Sequence, residues 1–261
     1  MDNTLHYMKK YVVHYTKGSG REYLEGIIPD AQFITQFDKE DPFVSWVKTY
    51  TQTSVCMPYL SCNIKHIEAM KHMIDNDIKE AFIFEDDVVF IDDWEKKFMN
   101  CKNAYFEDAD FIKIGNLHEL SFNQAPLMVG NNGGAEGQYM TLKFAKEFLD
   151  NVNLDHTIDI MHHGFLKGGS IPCIPVCAQT SIMSRAGGGN QQDEPLPNWI
   201  EYVRSYHSRK KFKYEDLLKE YEQFKMRKAK LEDLFAARYN KRVEIKRVEY
   251  VYKNEFMEFL K

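Results

Sequence analysis

The chain has 261 residues, of which 44% are hydrophobic and 14% aromatic, so it is long and apolar enough to fold around a sizeable core. Its formal charge of −5 gives no general attraction to nucleic acid, and we expect no nucleic-acid partner. The five cysteines are odd in number, scattered and without paired C-x-x-C spacing, which indicates neither a disulfide framework nor a zinc site. No stretch approaches the ~20 apolar residues that span a bilayer and no signal peptide is recognisable, so we expect a soluble, cytoplasmic protein.

A βα unit is predicted at the start of the chain. Residues 10–15 are a short β-rich run, and the Gly-Ser-Gly turn at 18–20 leads into a helix. The backbone amides of such a turn can approach a nucleotide and Arg21 can reach a phosphate, although a plain loop is the commoner role of such glycines. A second short strand over 31–35 and an acidic loop over 38–41 follow.

A helix and an acidic strand come next. Apolar residues recur every three to four positions from 61 to 75, which predicts an amphipathic helix that contains His66. Residues 81–90 read Ala-Phe-Ile-Phe-Glu-Asp-Asp-Val-Val-Phe, which predicts a buried strand that carries carboxylates. In open α/β sheets, ligands bind where such strands end.

The three carboxylates of this strand are Glu85, Asp86 and Asp87. Their burial costs several kcal/mol unless a cation neutralises them, so they indicate a divalent metal with oxygen ligands, Mn2+ or Mg2+. Alternation along an extended strand places Glu85 and Asp87 on one side, facing a nucleotide diphosphate, and Asp86 on the other. The alternative is a solvated acidic turn, which would not require apolar residues on both sides.

Helices and strands continue to alternate after the acids. We expect a helix over 91–100, a strand over 109–115, a glycine-rich loop over 129–137 without P-loop spacing, and a helix over 143–152. The segment 155–163 holds two acids and three histidines, enough for a second wall of a catalytic site. A strand or loop over 171–176 precedes a loop over 184–198 that is either a lid or a plain connection.

A long amphipathic helix is predicted over 214–239. Its apolar stripe is expected to pack on the rest of the chain or on a second copy, which would make a homodimer. We therefore predict a main domain over 1–200 and a C-terminal helical extension over 201–261. Basic residues are concentrated over 204–213 and 238–247, where a local contact with an anion is possible.

Four motifs match one known family in order and spacing over 11–179, about two thirds of the chain. They are Cys-Asn-Ile-Lys-His-Ile-Glu-Ala at 62–69, Phe-Ile-Phe-Glu-Asp-Asp at 82–87, Gly-Gln-Tyr at 137–139 and Ile-Asp at 158–159. On these motifs the chain resembles glycosyltransferase family 25, which contains lipooligosaccharide and procollagen galactosyltransferases, as a divergent member. It departs from the usual family pattern at Ser61, where glycine is usual, and at Lys65, where serine is usual.

The resemblance implies a GT-A-type α/β fold, a Rossmann-like mixed sheet flanked by helices, with the C-terminal extension outside the match. It also implies a nucleotide-sugar donor, best a UDP-sugar, together with Mn2+ or Mg2+, a glycan or glycoprotein hydroxyl as acceptor, and inversion at the anomeric carbon. The residues assigned on this interpretation are the metal ligands Glu85, Asp87 and His162 and the donor contacts Asp86, Arg21 and His66.

Inversion requires a general base on the face opposite the leaving group. Asp159 is the first candidate and Glu136 the second. His162 or His163 is a further candidate for the base or for an extra metal ligand. The alternative role for Asp159 is that of a helix-capping aspartate.

Two other functions remain open at this stage. A metal-dependent phosphoesterase would use the same carboxylates on a phosphate ester, and it would need further acids such as Asp155 and Asp159 to hold two metals. A non-catalytic, transferase-like module would assemble through the long helix and bind no nucleotide sugar.

Overall fold

The protein is described here from a computed structural model that covers residues 8–18, 20–115, 127–129, 135–166, 171–179 and 211–238. Within these ranges the chain forms a mixed α/β structure. Its strands are β1 Lys9–Val13, β2 Gln32–Ile34, β3 Glu80–Glu85, β4 Val88–Phe90, β5 Phe111–Gly115, β6 Leu127–Val129, β7 Gly137–Thr141 and β8 Ile171–Gln179. Its helices are α1 Arg21–Ile27, α2 Pro42–Thr51, α3 Met57–Asp75, α4 Trp94–Tyr105, α5 Leu142–Leu149, α6 Ile158–Phe165 and α7 Tyr214–Arg238.

The described strands form one mixed sheet of eight strands in the order β2-β1-β3-β7-β5-β8-β4, with β6 paired to β8. β1 runs parallel to β2 and β3, whereas β7 runs antiparallel to both β3 and β5. The carboxyl ends of β1, β3 and β5 and the amino end of β7 therefore lie at one edge of the sheet. The predicted mixed α/β class is confirmed, and this edge is where the acids of β3 emerge.

Aromatic residues fill the core on one face of the sheet. The ring of Phe82 on β3 lies with its centroid 5.2 Å from Trp94, 4.9 Å from Phe98 and 5.9 Å from Tyr139. Phe84 packs edge-on against the same Trp94 at 5.4 Å. Burying each such ring stabilises the fold by about 1.5–3 kcal/mol, so β3 is anchored by its apolar half and its acidic end is held in place.

The acidic stretch is not one continuous strand. β3 ends at Glu85, Asp86 and Asp87 form a turn, and β4 starts at Val88 and pairs with β8 instead of continuing beside β1. The alternation predicted for the three carboxylates is therefore wrong beyond Glu85, because a turn redirects each side chain independently of the strand pleat.

The first helices begin where local capping chemistry allows it. The side chain of Asp41 accepts a hydrogen bond of 2.7 Å from the backbone N–H of Phe43, and Pro42 occupies the first turn of α2. This helix directly follows the predicted acidic loop over 38–41, which contains no helix or strand in the structure. The predicted helix over 61–75 is confirmed as α3, which begins earlier, at Met57, with Pro58 in its first turn.

The chain divides into two compact units, Met1–Tyr214 and Glu215–Lys261. Our predicted boundary lay at 200/201, within residues 180–210, which are outside the described ranges. The predicted C-terminal helix is confirmed as α7, in which the rings of Tyr221 and Phe224 stack at 6.3 Å. Among the helices of the described residues, none has both the length and the apolar composition to cross a membrane.

Candidate active site

Carboxylates from three parts of the chain meet at the edge of the sheet described above. Glu85 ends β3, Asp86 and Asp87 form the turn after it, and Glu136 directly precedes β7. The backbone N–H of Glu85 donates to the carbonyl oxygen of Glu136 at 3.0 Å, which fixes the two strand ends side by side. Asp159 in the first turn of α6 is also electrostatically coupled to Glu85 and Glu136.

Glu85 contacts two residues of helix α3. The thiol of Cys62 donates to Oε1 of Glu85 at 3.3 Å, and Nε2 of His66 lies 3.6 Å from the same oxygen. Positions 62 and 66 are one helical turn apart and therefore lie on one face of α3. Together these three residues place one sulfur, one nitrogen and one oxygen atom within 4.8 Å of one another.

Burial shifts the protonation of this group toward neutral forms. It lowers the pKa of His66 to about 3, so the imidazole is uncharged at pH 7 and its contact with Glu85 is not an ion pair. Burial also raises the pKa of Glu85 to about 7; the Cys62 hydrogen bond opposes this shift, and the charges of Asp159 and Asp86 add to it. An excess of negative charge therefore surrounds Glu85.

Asp86 joins the turn after β3 to the end of β1. Its Oδ2 accepts a hydrogen bond of 2.9 Å from the backbone N–H of Tyr15 and lies 2.7 Å from Nδ1 of His14. A Cβ atom added at Gly20 would lie 1.8 Å from the carbonyl oxygen of Asp86, and one at Gly18 would lie 2.9 Å from its Oδ2. These glycines are thus required because Asp86 packs against the turn; Ser19 between them lies outside the described residues.

Asp87 is 5% exposed. Burial raises the pKa of the Cys177 thiol of β8 well above its usual range, and the charges of Glu136, Cys173 and Asp87 add to this shift. Asp87 and Glu136 therefore both act electrostatically on the same thiol.

Glu136 is fully buried beside Gly115 and Lys113 of β5. A Cβ at Gly115 would lie 2.9 Å from the Cβ of Glu136, so the glycine makes room for this acid. Neither carboxylate oxygen of Glu136 has a hydrogen-bond partner among the described residues. Burial raises the pKa of Glu136 to about 7; the positive charge of Lys113 opposes that shift, and Glu85 and Asp159 add to it.

Asp159 is partly exposed and lies in the first turn of α6. Thr157 occupies the N-cap position of this helix, so Asp159 is not its capping residue. An acidic residue in the first turn nevertheless interacts favourably with the helix dipole. Asp159 therefore combines partial access to solvent with proximity to the buried acids.

Three further predicted site residues have described contacts that the sequence did not predict. The ring of His162 is buried with its centroid 4.8 Å from both Phe111 and Phe148, and its assignment as a metal ligand stays a prediction. His66, which the sequence predicts as a donor contact, lies beside Glu85. Arg21 forms an exposed pair with Glu25 at 2.7 Å, and the side chain of His163 lies outside the description.

The two departures from the usual family pattern lie together under the loop after β2. The buried ammonium of Lys65 donates to the carbonyl oxygen of His14 at 2.6 Å and pairs with Asp38. Although burial acts in the opposite direction, hydrogen bonds from Lys65 and Thr16 lower the pKa of Asp38. The hydroxyl of Ser61 donates to the carbonyl oxygen of Phe37 at 2.6 Å, so both substitutions fasten this loop to α3.

Sequence reasoning missed Cys62 and Lys113 as members of the site. The i,i+4 spacing of Cys62 and His66 on a predicted helix was the available signal for the first. A lysine inside the apolar run 111–115 was the signal for the second, because a buried ammonium requires a negative partner.

Comparison with known proteins gives the family. The sequence profile of glycosyltransferase family 25 (LPS biosynthesis protein) matches residues 28–132, which contain α3, β3 and the acidic turn. This match covers less than half of the chain and supports the family resemblance for residues 28–132. The resemblance stated from the motifs is confirmed, and the family 25 assignment supports a glycosyltransferase.

Solved structures are only weakly similar to this chain. A197 from STIV has a TM-score of 0.37 and 10% identity, covering 65% of this chain and 83% of its own. The inositol-1-phosphate CTP transferase from T. maritima has a TM-score of 0.30 and 14% identity, covering 76% of this chain and 96% of its own. Similarity at this level says nothing further about function. No curated protein matches the sequence.

Proposed function

We propose that the protein is a metal-dependent inverting glycosyltransferase. It would move a sugar from a nucleotide-diphosphate donor, best a UDP-sugar, to a hydroxyl of a glycan or glycoprotein. The observation that supports this proposal is the meeting of Glu85, Asp86, Asp87 and Glu136 at one sheet edge, the first three of them within the region that matches a glycosyltransferase family.

The donor set fits a divalent cation. Four carboxylates at one strand edge repel one another, and the two oxygens of Glu136 make no hydrogen bond within the described ranges. We assign Glu85 and Asp87 as the residues that would hold Mn2+ or Mg2+, because both cations prefer carboxylate oxygens. When bound, the cation would supply stabilisation of the negative charge that develops on the leaving diphosphate.

Asp86 has a positioning role in this proposal. Its bonds to Tyr15 and His14 hold the β1 turn against the acidic turn, so the two backbone segments present one fixed surface to the donor. Arg21 opens α1 directly after this turn, and its guanidinium lies 4.9 Å from the centroid of Phe33, near enough to the turn to reach a phosphate by exchanging its bond to Glu25.

The general base is assigned to Asp159, with Glu136 as the alternative. Asp159 is partly exposed and lies in the first turn of a helix, so its carboxylate can meet an acceptor hydroxyl. Glu136 has its pKa raised to about 7, which also suits a base near neutral pH, but it is fully buried. The accessible carboxylate is favoured because proton transfer requires contact with the acceptor.

A panel of nucleotide sugars tests the proposal. Release of nucleoside diphosphate with Mn2+ and a glycan acceptor should be measured for the wild-type chain and for Asp87→Asn. Asp75→Asn is the matched control, because Asp75 is exposed on α3, where it pairs with Lys71. We expect the wild type and the Asp75→Asn control to consume one sugar nucleotide at equal rates. Asp87→Asn should consume it at least about 100-fold more slowly, because it has lost a metal ligand.

Two further measurements separate the other candidate functions. Consumption of a simple phosphate ester without any sugar transfer would make the protein a phosphoesterase. Failure of every nucleotide sugar to raise the melting temperature would instead favour a non-catalytic module, since a ligand that binds only the folded state stabilises it by mass action.

A further inference from the structure

A second metal-type cluster lies beside the carboxylates, and its chemistry differs from theirs. Cys62, His66 and Glu85 bring a thiol, an imidazole and a carboxylate within 4.8 Å of one another. We propose that these three residues form a site for a thiophilic divalent cation of the Zn2+ class. This site does not depend on glycosyl transfer, and it shares only Glu85 with the carboxylate site assigned to Mn2+ or Mg2+.

The two distances from Glu85 match those between ligands of one tetrahedral ion, and the third lies within 4.8 Å. With metal–ligand bonds of about 2.0–2.3 Å, two ligands of a tetrahedral Zn2+ stand roughly 3.3–3.8 Å apart. Oε1 of Glu85 lies 3.3 Å from Sγ of Cys62 and 3.6 Å from Nε2 of His66. Helix α3 supplies two ligands from one face and β3 supplies the third, so the site joins elements that the core already holds together.

His66 gives the independent reason for a ligand here. Its side chain is 0% exposed, and neither ring nitrogen has a hydrogen-bond partner among the described residues. A buried imidazole normally forms at least one hydrogen bond, and leaving its nitrogens unsatisfied costs about 1–3 kcal/mol. A cation that accepts the lone pair of Nε2 would offset this cost.

The donor atoms select the kind of cation. A cysteine sulfur binds Zn2+ far better than it binds Mg2+ or Mn2+, and imidazole also suits zinc. Cys62 and Glu85 are both partly exposed, so an ion can reach them. Binding would replace the thiol proton of Cys62 by the metal and release that proton to solvent, and three protein ligands leave a fourth position for water.

The site has a regulatory consequence that rests on the proposed function. Glu85 is a ligand in both sets, so a zinc-class ion bound to Cys62 and His66 would withdraw Glu85 from the donor cation. We therefore expect Zn2+ to inhibit Mn2+-dependent transfer in the wild type and to lose that effect in Cys62→Ser.

Cobalt(II) absorption tests the site directly. Co2+ bound to a thiolate gives a sulfur-to-metal charge-transfer band, and Zn2+ should displace it. We expect the band in the wild type, its loss in Cys62→Ser with at least about a 100-fold weaker affinity, and its retention in Cys56→Ser. Cys56 is the matched control because it is exposed at the amino end of the same helix.

Two further measurements keep the test decisive. If Cys62→Ser does not fold, protection of Cys62 from alkylation by Zn2+, read by peptide mass spectrometry, is measured on the wild type, with unprotected Cys56 as the internal control. Asp87→Asn should lose transfer but keep the cobalt band, so failure of the proposed function and failure of this site are distinguishable. Absence of the band, absence of protection, or equal loss of the band in Cys56→Ser would overturn the proposal.

Discussion

Nδ1 of His14 lies 2.7 Å from Oδ2 of Asp86, although 72 positions separate the two residues in the chain. The contact joins the end of β1 to the turn after β3, two neighbouring parallel strands of the sheet. A second bond, from the backbone N–H of Tyr15 to the same oxygen, completes the connection. The acids at the site are therefore positioned by a long-range contact as well as by their own strand.

We predict that Asp86→Ala lowers the free energy of unfolding by about 1–3 kcal/mol, because it removes a charged acceptor from two part-buried donors. Urea denaturation measures this loss. Asp75→Ala is the control; it removes one exposed pair on α3 and should cost no more than about 0.5 kcal/mol. Equal stability of the two variants would contradict the structural role of Asp86.

Alanine substitution at Gly20 and at Gly26 should have opposite effects on stability. Gly20→Ala would place a Cβ 1.8 Å from the carbonyl oxygen of Asp86, and the backbone shift that relieves this clash should destabilise the protein by about 1–3 kcal/mol. Gly26→Ala meets nothing within 4 Å inside α1 and should stabilise it by roughly 0.5–1 kcal/mol. Melting temperatures of both variants decide this, and a stable Gly20→Ala would be inconsistent with the described turn.

The parts of the fold predicted from sequence are those that depend on local periodicity. The helix over 61–75 and the strands near residues 10 and 110 follow from apolar spacing alone, and the structure contains α3, β1 and β5 there. The turn at Asp86 could not be predicted from the acidic run. Asp86 is held there by contacts with His14 and Tyr15, which are distant in sequence.

The site was only partly predictable for a similar reason. The three acids are recognisable in the sequence as a charged run between apolar residues. Which histidine joins them depends on helix orientation: α3 turns His66 to Glu85, whereas α6 turns His162 to Phe111 and Phe148. No spacing rule in a single sequence fixes the rotation of a helix against a sheet.

Glu136→Gln should change how stability depends on pH. The pKa of Glu136 is raised from 4.5 to about 7 in the folded protein, so the folded state holds a proton that the unfolded state releases. The stability that this residue contributes is present below about pH 4.5 and is lost as pH rises through 7. The free energy of unfolding of the glutamine variant should therefore rise relative to that of the wild type between pH 4.5 and pH 8, by on the order of 3 kcal/mol.

Urea denaturation in EDTA at several pH values measures this effect. Glu147→Gln is the matched control, because Glu147 is an exposed carboxyl on α5. The control should follow the wild-type pH dependence. A glutamine variant at position 136 that parallels the wild type at every pH would show that Glu136 is not a buried, proton-binding carboxyl.

Asp159→Asn separates a catalytic from a structural role. If Asp159 is the base, turnover should fall 10²- to 10⁴-fold, about 3–5 kcal/mol of barrier, while donor and metal binding persist. Because Thr157 holds the N-cap position, the structural cost should be only the helix-dipole contribution of about 0.3–1 kcal/mol. Asp155→Asn is the neighbouring control. Normal turnover in Asp159→Asn together with an inactive Glu136→Gln would move the base to Glu136.

Calorimetric titration of UDP into the wild type and Asp87→Asn, each with Mn2+ and with EDTA, tests the central claim most directly. The turn carboxylates Asp86 and Asp87 lie beside Glu85 and repel a diphosphate unless a cation stands between them. We predict tight binding to the wild type only with Mn2+, and no gain from Mn2+ in Asp87→Asn, whose fold should persist because one repelling charge has been removed. Equal UDP affinity of the wild type with and without the metal would contradict the account.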